Sequence, residues 1–390
     1  MLRSIVLFVI CSIALAENEL TTGVSNFASD FYQECAKSTT GNVIISPFSV
    51  ANVLALLSQA ADGNTFEQIR SELQLNGDKP TAANQFHEYY GLLERGAGNT
   101  TFSVANQVYV QQGYPLNQYL QQVAVQKFSS GIESINFAHR AEAAQTINQF
   151  VEQKTKGKIT NLIKPATLNA DARVVLINAV YFKGDWKYKF NKQFTVKADF
   201  YTSETESVSV DFMHIEGTYN YGELPELDAS ALEMKYADSN YSMVLILPNS
   251  HAGLSTLETK LKGHDFTKIT TEMRSQKVKV DIPKFKVEFE IKLNDVLKNL
   301  GMVDMFSGAA DLSGLLQAKE PLVVSDAVHK AFIEVNEEGS EAAAATGLMI
   351  TKRIGGMPRA EFYCDHPFIY YIWDHNSRTT VFIGRITNFN

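Results

Sequence analysis

Apolar residues recur along this chain with two periods, and the change from one to the other marks its elements. Residues 18–37 put Leu20, Val24, Phe27, Phe31 and Tyr32 on one helical face. The apolar run Asn42-Val43-Ile44-Ile45 ends at Ser46-Pro47-Phe48-Ser49, where Ser46 is a good helix cap and Pro47 suits the first helical position. A helix through Val53, Leu54, Leu56 and Leu57 follows, then another over 65–73. Residues 102–110 alternate as a strand. Residues 143–162 read as a helix ending in the turn Thr155-Lys156-Gly157-Lys158. The run 173–182 is apolar at both parities, as in a strand buried on both faces. Short strands and turns alternate over 208–248. Residues 277–289 read as strand, 293–300 as a helix stopped by Gly301, and 322–325 and 331–335 as strands. A hairpin pairs 368–373 with 379–386 around Asn376-Ser377. Helices dominate the first half and strands the second, which predicts a mixed α+β fold.

One stretch fits neither period: Glu337-Glu338-Gly339-Ser340-Glu341-Ala342-Ala343-Ala344-Ala345-Thr346-Gly347. No bulky side chain occurs in it from Gly339 onward. Alanine favours helix, so a helical linker is one reading. The other is a segment that is solvated at first and becomes a buried strand later. Ser340, Ala342, Ala344 and Thr346 share one strand parity and are all small, while Glu341 falls on the other parity, where it stays in water. Residues 348–358 then read as an exposed loop.

The chain has 390 residues, 45% hydrophobic and 20% charged, ample for a large core. No linker, repeat or low-complexity tract divides it, so one domain over 17–390 is expected. Met1-Leu2-Arg3 is a basic head, residues 4–15 are almost wholly apolar, and Ala14 and Ala16 are small where signal peptidase requires it. Residues 1–16 are therefore expected to be a cleaved secretory signal, too short to span a membrane comfortably. Loss of Arg3 takes the formal net charge from −8 to −9, which argues against nucleic-acid binding, and no basic cluster suggests a heparin site. Sequons at Asn99 and Asn240 become candidate glycosylation sites in a secreted chain. Cys11 leaves with the signal. Cys35 and Cys364 remain, either paired or as two buried thiols.

No set of residues announces catalysis. There is no nucleophile elbow, phosphate loop or Rossmann glycine pattern, and the histidines (His87, His139, His214, His251, His264, His329, His366, His375) show no metal-ligand spacing. Neither an enzyme nor a bound metal or cofactor is expected.

In their order along the chain, several motifs resemble the serpins, a family of serine-protease inhibitors. Ser46-Pro47-Phe48-Ser49 is similar to the family's second-helix motif. Asn178-Ala179-Val180-Tyr181-Phe182-Lys183-Gly184-Asp185-Trp186 is similar to its third central strand and the turn after it. Thr155-Lys156-Gly157-Lys158-Ile159 resembles the end of the helix crossing the main sheet. His329-Lys330-Ala331-Phe332 and Glu334-Val335-Asn336-Glu337-Glu338-Gly339 resemble the fifth strand and the hinge, and Asp365-His366-Pro367-Phe368 the C-terminal signature. Two features depart: Asn388-Phe389 replaces the usual Asn-Pro, and the stretch between Arg353 and Pro367 is rather long.

The resemblance implies a large mixed central sheet with two further sheets, and a reactive loop over about 337–360. It implies that a protease cleaves the loop, stays attached as an acyl-enzyme and is carried away as the loop enters the main sheet. Family spacing from Gly339 puts the reactive bond between Arg353 and Ile354, with Lys352 and Arg359 as alternatives. That distance is roughly 45 Å of extended chain at about 3.3 Å per residue. Arg353 suits the primary pocket of trypsin-like proteases. The sequence Lys352-Arg353-Ile354-Gly355-Gly356 also resembles the activation site of trypsin-like zymogens. By the same resemblance Ser46, Ser49, Asn178 and His329 form a polar latch under the sheet, and Trp186 packs where the loop enters. The implied protein is a secreted monomer whose partner is an Arg-specific protease, with neither nucleic acid nor membrane. A non-inhibitory serpin (carrier, storage protein or chaperone) is the alternative.

Overall fold

The long apolar run expected at 173–182 becomes a strand, Val174–Asp185, whose first nine residues are all buried. The computed structural model describes residues 2–340 and 360–389, with side chains from Leu20 onward. Helix α1 (Leu2–Lys37) contains the helix expected over 18–37. Helix α2 (Pro47–Ala60) starts as the sequence requires: Ser49 N–H donates to the Ser46 hydroxyl at 3.4 Å, and Pro47 stands first. Every α2 residue except Gln59 is buried, the mark of a helix that runs through a core.

Strands follow in chain order. They are β1 (Val43–Ile45), β2 (Thr101–Gln111), β3 (Gly131–Ile135), β4 (Val174–Asp185), β5 (Val196–Tyr201), β6 (Ser207–Leu224), β7 (Ala229–Lys235) and β8 (Tyr241–Pro248). The second group is β9 (Arg274–Pro283), β10 (Phe285–Lys292), β11 (Val324–Val335), β12 (Gly339–Ser340), β13 (Ala360–Tyr363), β14 (Phe368–Asp374) and β15 (Thr379–Ile386). One sheet runs β10-β11-β12-β4-β2-β3 and is mixed. The two further sheets expected beside it are joined in one nine-stranded ladder, because the 18-residue β6 pairs in turn with β5, β9 and β7.

Three expected elements differ in extent. The helix read over 143–162 ends at Lys154, because Lys156 and Gly157 take positive φ. The strand read over 277–289 is two, β9 and β10, which lie in different sheets; Pro283 closes the first. The two short strands read at 322–325 and 331–335 are one. His329 and Lys330 look like a polar break, but both are buried within β11, where Lys330 pairs with Glu288 at 2.7 Å.

The main sheet is packed on both faces. Val180 and Phe182 belong to the large core that contains α2, while Ile177, Ala179 and Tyr181 pack under the helix Arg140–Lys154. Strands β11 and β4 pair directly, in parallel, from Val324↔Val174 to Phe332↔Tyr181. Beyond Phe332 they part, and β12 sits in the fork, antiparallel to both.

Candidate functional site

The fork is built from the end of β11, the end of β4 and the residues just after each. The chain leaves β11 at Val335 and reverses through Asn336-Glu337-Glu338-Gly339. Asn336 N–H donates to Gly339 O at 2.9 Å, and Gly339 N–H returns a bond at 3.2 Å. Only glycine fits at 339: φ is +154°, and a Cβ would stand 2.0 Å from the Gly184 carbonyl oxygen. Trp186 clamps the turn from the β4 side. Its backbone N–H donates to Glu338 O and its indole N–H to Asn336 O, both at 2.9 Å. The Trp186 ring stacks on Tyr236, with centroids 4.7 Å apart and planes 11° apart. The Tyr236 hydroxyl lies 2.6 Å from Ser340 Oγ. Ser340 is fully buried, on the inward parity that its sequence position predicts.

Glu337, Glu338, Gly339 and Ser340 were expected in solvent; all four are buried. Their surroundings explain the difference. Glu337 accepts from the Thr195 hydroxyl at 2.8 Å and pairs with Lys284 at 3.1 Å. Glu338 pairs with Lys189 at 3.1 Å and Lys192 at 3.0 Å. Burial pushes both carboxyls up, but these donors outweigh it and hold both below the ordinary carboxylate value. Glu341, Ala342, Ala343, Ala344, Ala345, Thr346, Lys352, Arg353, Ile354 and Arg359 lie outside the described residues.

Just below the fork, the four residues expected to form a latch converge. His329 and Asn178 are register partners on β11 and β4, and Asn106 of β2 is the register partner of Asn178 on the other side. Full burial pushes the His329 imidazole down to about 3, so the ring is neutral. Ser46 backbone N–H donates to His329 Nε2 at 3.2 Å, which leaves the proton on Nδ1 to be donated to Asn178 Oδ1. Asn178 Nδ2 donates to the Ser49 hydroxyl at 2.6 Å and to Asn106 Oδ1. Ser49 Oγ donates to Asn106 Oδ1 at 3.2 Å, and Asn106 Nδ2 to Ser49 O at 3.3 Å. The Ser46 hydroxyl is spent on Val381 O at 2.8 Å. Every bond in the relay has one donor and one acceptor, and together they tie α2 to β2, β4 and β11.

Sequence reasoning missed Asn106 and Tyr236. Asn106 had a visible signal: it interrupts the apolar parity of Phe102, Val104, Val108 and Val110, and a polar group in an apolar row needs a partner. Tyr236 had none, because its role depends on β7 ending beside the fork.

The sequence profile described as "Serpin (serine protease inhibitor)" matches residues 22–389. This chain belongs to the serpins. It is 36% identical over 371 residues to "Serine protease inhibitor 42Dd" of Drosophila melanogaster, covering 95% of this chain and 97% of that one. Its fold is similar to that of Serpin48 of the insect Tenebrio molitor, described as a highly specific serpin. The TM-score is 0.88 and identity 37%, with 96% of this chain and 99% of that one covered. Human thyroxine-binding globulin, 24% identical, shares the fold with a TM-score of 0.88, covering 96% of this chain and 99% of its own.

The remaining predicted residues of this serpin are dispersed. Asn99 and Asn240 are both exposed, and they neighbour each other: Asn99 Nδ2 donates to Asp238 at 3.1 Å, and Asn240 N–H donates to Gly96 O at 2.9 Å. Cys35 and Cys364 are both buried and unpaired, and burial raises both thiols well above their ordinary value. Ser242, His375 and Glu233 meet, yet Ser242 Oγ at 3.2 Å and Glu233 at 2.6 Å face the same Nε2 of His375. A nucleophile relay needs the two ring nitrogens on opposite partners, so this trio is no such relay. Among the described residues, no helix is long and apolar enough to cross a membrane.

Proposed function

We propose that this serpin is a secreted, monomeric inhibitor of trypsin-like serine proteases, with Arg353–Ile354 as its reactive bond. The observation that carries the reading is the register already begun at Gly339↔Asp185 and Ser340↔Gly184. Each further residue then stands opposite one residue earlier in β4. Ala342 meets Phe182, Ala344 meets Val180, Thr346 meets Asn178, and Ile350 meets Val174, where β4 begins. On the inward face Ala342 and Ala344 thus oppose the larger Phe182 and Val180, and none of the four brings a charge into it. Glu341, on the other face, meets Lys183, an opposite charge.

The chemistry belongs to the protease. Its serine adds to the Arg353 carbonyl, the bond to the Ile354 nitrogen breaks, and Ile354 leaves as an amine, so Arg353 is held as an ester. This chain contributes the bait and the motion. The freed segment continues β12 downward, prising β11 from β4 through the Val324–Phe332 register, and carries the ester roughly 45 Å at about 3.3 Å per residue. The Ser46–Ser49–Asn178–His329 relay resists that parting until cleavage, and Trp186 holds the entry turn. The serpin itself supplies no catalytic group, cofactor or metal to this reaction. Residues 1–16 direct it out of the cell, where Asn99 and Asn240 carry glycans.

Incubation with trypsin tests the reading. A covalent complex that survives SDS, together with a released peptide beginning at Ile354, is the expected result. Cleavage at Arg353 without a complex overturns inhibition and favours a carrier role, for which the fold has an example in thyroxine-binding globulin.

A further inference from the structure

Away from the fork, His251, Asp365 and His366 converge from two links of the fold. His251 follows β8, and Asp365 and His366 lie between β13 and β14. One donor atom from each lies within 4.8 Å of those of the other two. The polarity at His366 is the informative part. Its Nε2 lies 2.7 Å from Pro248 O, which can only accept, so Nε2 carries a hydrogen. Its Nδ1 lies 2.7 Å from Asp365 Oδ1. Nδ1 is thus the ring atom left to bind an ion, and it faces a carboxylate. His251 Nε2 stands 4.0 Å from the same Asp365 oxygen, on a ring 4.7 Å from the His366 ring.

We propose that His251, Asp365 and His366 bind a zinc-like divalent transition ion. Two imidazoles and one carboxylate are a zinc donor set with a fourth position left for water, and they disfavour magnesium and calcium. The outer contacts are also those of a metal site. Pro248 O fixes the His366 tautomer with Nδ1 as ligand, and Tyr201 stacks on His251 at 4.6 Å and 24°. Tyr201 N–H anchors the Asp365 carbonyl at 2.7 Å. Donors of a tetrahedral zinc at about 2 Å stand about 3.3 Å apart; the present spacings are 2.7 and 4.0 Å to the Asp365 oxygen and within 4.8 Å between the imidazoles, so closure takes side-chain movements of about 1.5 Å or less. The ion would tie the link that follows β13 to the turn that follows β8. Strand β13 is at an edge of its sheet, paired only with β9 among the described strands, and is the strand by which the chain returns from residues 341–359.

The test uses the full chain, freed of metal by chelation and titrated calorimetrically with zinc chloride. One equivalent is expected to bind, to raise the thermal midpoint, and to be replaceable by cobalt with a four-coordinate visible spectrum. His251 is partly exposed, so His251→Gln is expected to fold as the wild type does, and to weaken binding by about 100-fold or more, beyond the loss of an outer partner. Absence of zinc binding overturns the proposal. Equal binding by His251→Gln also overturns it.

Discussion

Ser340 and Tyr236 share a buried hydrogen bond of 2.6 Å inside the fork between β11 and β4. The first inward side chain of the hinge is thus already in the sheet, against an aromatic floor completed by Trp186. Ser340 is fully buried there, so a long charged side chain at this position would have to enter a packed layer. Ser340→Arg is expected to leave cleavage at Arg353 intact but to abolish trapping. Burying an unpaired charge in that layer costs about 3 kcal/mol, which shifts the partition toward substrate by about 100-fold. The measurement is the moles of serpin consumed per mole of trypsin inhibited. An unchanged ratio would remove the insertion mechanism.

The register predicts a charge pair that forms only after insertion, Glu341 with Lys183. Glu341→Lys is expected to lower the yield of covalent complex about two- to five-fold, the worth of up to about 1 kcal/mol for a cross-strand pair. Adding Lys183→Glu is expected to restore it. If the double variant is no better than the single one, the register is wrong.

On the proposed mechanism, His329 is expected to give the relay a pH dependence. Its ring is neutral in the folded chain, with the value pushed from 6.5 down to about 3 by burial, so the unfolded chain takes up the proton first. The stability it contributes is complete above about pH 6.5. It falls by about 1.4 kcal/mol per pH unit below that, until the folded ring itself protonates near pH 3. A proton entering Nε2 would face the Ser46 N–H, donor against donor. Heat-induced polymerisation is therefore expected to speed up as pH drops from 7 to 5, and His329→Asn to flatten that profile. An identical pH profile in the variant would refute it.

Asn106 belongs to the same relay. Asn106→Ala leaves the Ser49 hydroxyl and one Asn178 N–H without this acceptor, at about 1–3 kcal/mol per unsatisfied group. A lower thermal midpoint and faster polymerisation are expected, as for Asn178→Ala and His329→Ala. If none of the three alters polymerisation, the relay is only a set of satisfied core groups.

Gly339 is held where a Cβ collides with backbone. Gly339→Ala is expected to unseat the turn, and hydrogen exchange at 336–340 is expected to accelerate at least tenfold, for an opening cost reduced by about 1.4 kcal/mol. Protection equal to wild type would show that the turn tolerates a Cβ.

Much of this was legible because period and polarity are local. The cap at Ser46, the two-sided burial of β4 and the hairpin of β14 and β15 all follow from spacing. The inward parity of Ser340 was legible too. The present burial of the turn was not, since that depends on Tyr236 at Ser340, Lys189 and Lys192 at Glu338, and Thr195 and Lys284 at Glu337, all remote in sequence. The unbroken β11 was hidden for the same reason: Lys330 is tolerable inside a strand only because Glu288 and Glu290 of β10 stand beside it. Likewise no spacing links His251 to Asp365, and only the fold brings them together.

The short strand β12 has a kinetic meaning. Growing a new strand between two others is slow to nucleate, because the first residues lose freedom before cross-strand bonds compensate. With Ser340 paired to Val335 and Gly184, and Gly339 to Asp185, the nucleus exists in the uncleaved chain. On the proposed mechanism the race against deacylation then begins at the propagation stage, and its speed is set by how fast the relay under the fork unzips.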